Sequence, residues 1–73
     1  MTSLPRVSGC QCVAVLLKNG FQFKRQNGSH IILRRDEPFA QVVVPDHKEL
    51  DRGTLRSILR QAGLAIEEFI ALL

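Results

Sequence analysis

The sequence predicts an α+β fold of two layers, with a three-stranded antiparallel sheet carrying helices on one face in the order α-β-β-β-α. A short C-terminal helix follows. Three observations predict it. Asn27-Gly28-Ser29 separates two short alternating runs, and Asn-Gly in that setting is the strongest short-range hairpin signal. Residues 39–44 are rich in β-branched side chains and follow a polar, proline-containing turn, which adds a third antiparallel strand. Apolar residues recur at helical spacing on both sides of this β region, at Cys10, Val13, Leu16 and Leu17, then at Leu55, Ile58, Leu59 and Ala62.

The chain has 73 residues, which suits one domain over residues 1–73, with a core at 8–64 and the short helix at 66–73. A domain of that size buries only about 60% of its unfolded surface, so its core is thin. Apolar residues make up 45% and charged residues 23%, a balance that fits a folded chain rather than a disordered one. The net charge is +3 and the pI near 9.4, a small surplus that points to an anionic partner only where it is clustered. Trp and Tyr are absent, so any base stacking falls to Phe, His or Arg. No run approaches the roughly 18 apolar residues that span a bilayer, and the N-terminus lacks a signal-peptide core. Cys10 and Cys12 stand about 200° apart on the expected helix, so they do not bridge, and no His lies near enough in sequence to complete a zinc set. Two reduced thiols, one packed inward, fit a cytoplasmic protein.

Taken in order, residues 1–7 form an irregular leader in which Pro5 bars a helix. Ser8 is a candidate N-cap with Gln11 three residues on, the spacing of a capping box. The first helix runs from about Gly9 to Asn19, with Lys18 near its negative end and Asn19-Gly20 as its stop. The hairpin then occupies residues 21–35. A three-residue loop at Asn27-Gly28-Ser29 places Phe21, Phe23, Ile31 and Leu33 on the core side. It leaves Gln22, Lys24, Gln26, His30 and Arg34 on the other face, with Ile32 as the one misfit. Residues 35–38 make the turn into the third strand, which Pro45 closes. After a polar loop over 46–51, the second helix spans about Arg52 to Ala62, capped by Asp51 and stopped by Gly63. Residues 66–73 form a short third helix, or an appendage that docks on a partner. No internal repeat or low-complexity segment is present.

Chemistry concentrates in the hairpin. Lys18, Lys24, Arg25, Arg34 and Arg35 fall within it or just upstream, and no acidic residue lies between Lys18 and Arg35. His30 sits beside the tight turn. A cationic ribbon with an imidazole at its tip suits gripping and cutting a phosphodiester backbone. Imidazole can take or give a proton near neutrality, typically for about 10²- to 10⁴-fold in rate, while Lys24, Arg25 and Arg34 balance the charge developing on phosphate. No metal-ligand constellation is visible, so a mechanism without metal or other cofactor is expected. Double-stranded-RNA-binding domains share this element order, although fold alone does not give function.

Several segments also resemble one family. Leu4-Pro5, Ser8-Gly9, Asn19-Gly20-Phe21 and Arg25-Gln26-Asn27-Gly28-Ser29-His30 are similar to the HicA (YcfA-like) toxins of bacteria and archaea. Val43-Val44-Pro45, Lys48-Glu49-Leu50 and the run from Gly53 to Leu64 continue the resemblance. The resemblance implies a type II toxin that cleaves messenger RNA and is neutralised by a HicB-like antitoxin. It implies a double-stranded-RNA-binding-like fold and a catalytic histidine in the second strand, a place that His30 occupies. Many relatives have a second histidine directly after it; here Ile31 stands there. The expected RNA-contacting set is Lys24, Arg25, Gln26, Ser29, Arg34 and Lys48, with His30 catalytic and no membrane involved.

Other assignments of these residues stay open. His30 is also suited to being a polar strand-end residue, and Ser29 to stabilising the turn. His47 reads as a solvated loop histidine, or as a second acid/base group if its loop folds back to the sheet. The Arg52, Arg56, Arg60 stripe is a solvated face, a set of phosphate contacts or a dock for antitoxin carboxylates. Two further functional classes compete: an RNA-binding module that does not cut, and an interaction protein whose hairpin meets an acidic partner.

Overall fold

A computed structural model describes residues 3–73. Its elements are α1 (Gly9–Lys18), β1 (Gln22–Asn27), β2 (His30–Asp36), β3 (Phe39–Pro45), α2 (Arg52–Ala62) and α3 (Ile66–Leu72). The strands form one antiparallel sheet in the order β1-β2-β3. This is the α+β architecture that the sequence predicts.

Local chemistry sets the helix ends. The Ser8 hydroxyl accepts from the Gln11 N–H at 3.0 Å, and the Gln11 side chain accepts from the Ser8 N–H at 2.9 Å, completing the capping box. The Asp51 carboxylate accepts from the Thr54 N–H at 2.7 Å and so caps α2. That hydrogen bond holds the Asp51 carboxyl below its ordinary pKa. Gly63 ends α2 at φ 73°, a backbone conformation open to glycine at little cost.

One apolar layer joins the helices to the sheet. Cys12, Val15 and Leu16 of α1 and Leu55, Ile58, Leu59 and Ala62 of α2 pack with Ile31, Leu33, Val42 and Val44. Phe69 is fully buried, so α3 folds back onto this chain's own core. Lys18 fastens its end by donating to the Leu72 carbonyl at 3.0 Å. Among the described residues no helix is long and apolar enough to cross a membrane.

The hairpin departs from the expected layout. Asn27 pairs with His30, so Asn27 belongs to β1 and the loop is the two residues Gly28-Ser29. Gly28 has φ 62°, as the first central residue of a type II′ turn requires. The extra residue lies instead within β1. Phe23 pairs with Leu33 and Arg25 with Ile32, leaving Lys24 as a bulge. The bulge exchanges faces near the turn. Gln26 pairs with Ile31 on the helix side, and Arg25 takes the His30 side that the sequence reading gave to Gln26. Phe23 shares a face with Leu33 as expected, yet it is 55% exposed rather than core, because β1 overhangs the helices and is exposed along its length. The turn into β3 is also shorter than expected: Arg35 and Asp36 are strand residues, leaving Glu37-Pro38.

Arg35 has a structural role. It donates to the Ala62 carbonyl and to the Pro38 carbonyl, both at 3.0 Å, and lies over the Phe21 ring at 4.7 Å. One guanidinium thus ties the β2–β3 turn to the C-terminal end of α2.

Two outcomes follow. A Cβ at Gly9 would collide with the Pro45 carbonyl oxygen, with backbone rather than flexible side chain in the way. Gly9→Ala should therefore lose about 1–3 kcal/mol, seen as a fall of several degrees or more in Tm. Burial pushes the Cys12 thiol up to about 12, whereas Cys10 is exposed. A thiol reagent at pH 8 should modify Cys10 alone in the native protein and both cysteines after unfolding, as counted by mass spectrometry.

Candidate functional site

His30 opens β2. It pairs with Asn27 on one side and Pro45 on the other, on the sheet face turned away from the helices, and it is exposed. Two backbone contacts fix this corner. The Asp46 N–H donates to the Ser29 carbonyl at 2.7 Å, and the Gly9 N–H donates to the His47 carbonyl at 2.9 Å. The hairpin tip is thereby fastened to the loop after β3, and that loop to the start of α1.

Beside His30 runs an open groove of about 350 Å³ between β3 and α2. Val43, Pro45 and Ile58 supply apolar lining, and Gly53, Thr54, Ser57 and Gln61 supply the α2 side. Thr54, Ser57 and Gln61 occupy one flank of α2, at i, i+3 and i+7. Arg52, Arg56 and Arg60 occupy the other flank, with the buried Leu55, Ile58, Leu59 and Ala62 between them. None of these arginines lines the groove. The arginine stripe and His30 therefore serve different surfaces. A second depression of about 290 Å³, between Leu4–Arg6 and Glu49–Arg52, shares no residue with the His30 groove.

The cations of the hairpin divide into groups. Arg25 shares the His30 face through its pairing with Ile32. Lys24, on the bulge, and Lys48, in the loop after β3, are exposed, and like Arg25 they form no ion pair or side-chain hydrogen bond among the described residues. Arg34 is on the same face but pairs with Asp36 at 3.1 Å, an exposed ion pair that partly offsets its charge. Lys18 and Arg35 are committed to the fold.

The remaining expected residues fall into place as follows. The Gln26 amide donates to the Gly28 carbonyl at 3.0 Å and so braces the turn. Ser29 is exposed at the turn itself. His47 is exposed in its loop and does not line the groove. On the outer face, Ile32 and Val43 form an apolar pair next to Arg25 and His30, and Phe39 is 69% exposed further along β3.

Ser57 and Gln61 were not singled out from the sequence. Their signal was present: once α2 is oriented by its apolar arc, residues 54, 57 and 61 form its uncharged flank. The sequence did not show that this flank would meet the His30 end of the sheet.

The arrangement offers an exposed imidazole between a cationic sheet surface and a neutral groove. No match to the chain is found among curated proteins. A family model described as "HicA toxin of bacterial toxin-antitoxin" matches residues 9–64, a span running from the start of α1 to just past α2 and including the hairpin and the groove. The chain belongs to the HicA family of toxins of bacterial toxin–antitoxin pairs.

Proposed function

We propose that this toxin is a ribonuclease that cleaves messenger RNA without metal, with His30 as general acid/base. The observation that carries the reading is the exposure of His30 at the junction of the cationic sheet face and the α2 groove. In the proposed reaction the imidazole takes the proton of a 2′-hydroxyl. The 2′-oxygen attacks the adjacent phosphorus, and the bond from phosphorus to the 5′-oxygen breaks. That oxygen takes a proton from water as it leaves, and the imidazolium returns its proton to solvent. The products are a 2′,3′-cyclic phosphate and a 5′-hydroxyl. Arg25 on the His30 face, with Lys24 and Lys48, supplies the free cations of this proposal, and Arg34 is shared between Asp36 and the substrate. They balance the charge growing on the phosphate oxygens. Gln26 and Ser29 hold the turn that presents His30, with their remaining polar atoms available to RNA. A HicB-like antitoxin is the proposed protein partner and the cytoplasm the proposed location.

Cleavage of RNA by wild type and by His30→Ala, with EDTA and at low salt, tests this reading. Wild type should cut, and His30→Ala should be slower by about 10²- to 10⁴-fold while still folded and still binding RNA. If neither protein cuts and both bind, the chain is an RNA-binding module and His30 a strand residue. The cations have their own readout. Lys24→Ala or Arg25→Ala should leave Tm unchanged and reduce the slope of log affinity against log salt by about 0.7–1 each.

A further inference from the structure

The groove beside His30 has a composition that suits a nucleobase better than a phosphate. Its α2 wall presents a hydroxyl from Ser57 and an amide from Gln61, and neither side chain makes a hydrogen bond among the described residues. Thr54, half-buried in the first turn of α2, lines the same wall. Val43 and Pro45 supply apolar surface for the face of a ring, above the buried Ile58. No Lys or Arg lines the groove, while the free Arg25 lies on the sheet side of His30. Phosphate is thus drawn to one side of His30 and an uncharged group to the other. Single-stranded RNA is read by unstacking a base, packing its ring on apolar or aromatic surface and hydrogen-bonding its edge. An amide, carrying both donors and an acceptor, can read such an edge with two hydrogen bonds.

We infer that this groove holds the base next to the cleaved phosphate, and that Gln61, assisted by Ser57, sets the base preference of cleavage. This rests on the ribonuclease reading and adds a specificity site that the cationic hairpin does not supply. Gln61→Glu has a defined consequence, because a carboxylate only accepts hydrogen bonds where the amide also donates them.

The test has a cleavage arm and a binding arm. In the first, an RNA pool with randomised sequence is cut by wild type, Ser57→Ala, Gln61→Ala and Gln61→Glu, and the new ends are sequenced. Wild type should prefer particular bases at one position flanking the cut. Gln61→Ala should weaken that preference by roughly 5- to 100-fold, Ser57→Ala should weaken it less, and Gln61→Glu should change which base is favoured. In the second arm, short oligonucleotides differing only in that base are bound to His30→Ala, with and without Gln61→Ala. Where the preference is unknown because wild type does not cut, each position is varied in turn. Base discrimination in His30→Ala that Gln61→Ala removes supports the inference. A preference unchanged in all three groove variants, or binding to His30→Ala that ignores base identity, overturns it. Failure of wild type to cut counts against the ribonuclease reading alone, since the binding arm still reads the groove.

Discussion

Helices cover one face of this three-stranded sheet, and the other face is left to solvent. The apolar layer formed by Leu16, Leu55 and Ile58 against Leu33, Val42 and Val44 decides which side chains are inside. Alternation along β2 and β3 then decides the rest. Every residue one step from that layer, His30, Ile32, Arg34, Gln41 and Val43 among them, is turned to the open face. Burying Leu33 and exposing His30 are consequences of one register. A slip of one residue would bring the imidazole under the helices and turn Leu33 to water.

The same frame sorts charge by position. Lys18 and Arg35 sit where helix carbonyls come within reach, and they fasten α3 and α2. The Arg35 bond to the Ala62 carbonyl is part-buried, where a hydrogen bond from a charged group contributes about 1.5–3 kcal/mol, whereas the exposed Lys18 bond is screened by solvent and contributes less. Arg34 is balanced by Asp36 two residues on, on the same face. Of the hairpin's own cations only Lys24 and Arg25 are left unpaired for an anionic ligand, and Arg25 lies on the His30 face. A net charge of +3 is weak as a whole-chain property and becomes informative only after this sorting.

The fold was legible wherever a local rule acts alone. The capping box at Ser8 and Gln11, the Asp51 cap, the Gly63 stop and the limits of α2 depend on neighbours within a few residues, and the sequence displays them. The hairpin was read less well because parity arguments give the relative register of two strands without locating an extra residue. Phe23 opposite Leu33 fits a longer loop at the turn or a bulge at Lys24 equally, and the chain uses the bulge. That choice sets Asn27 opposite His30 and brings Arg25, rather than Gln26, to the His30 face. Phe23 itself misled because facing the core side is not the same as being covered, and coverage depends on how far the helices extend over β1. The site was half legible: His30 and its cations are close in sequence, whereas Ser57 and Gln61 reach the same place only through the packing of α2 against β3.

The central claim is that an imidazole on an open sheet face, flanked by cations, activates the RNA's own 2′-hydroxyl. The chemistry of the cut ends tests it most directly. RNA cleaved by the purified toxin should carry 2′,3′-cyclic phosphate and 5′-hydroxyl termini, resolved by mass spectrometry, and RNA with a 2′-deoxy nucleotide at the cleaved position should survive. Products ending in 3′-hydroxyl and 5′-phosphate, or cleavage indifferent to the missing 2′-hydroxyl, would mean that water is the nucleophile and would contradict the account.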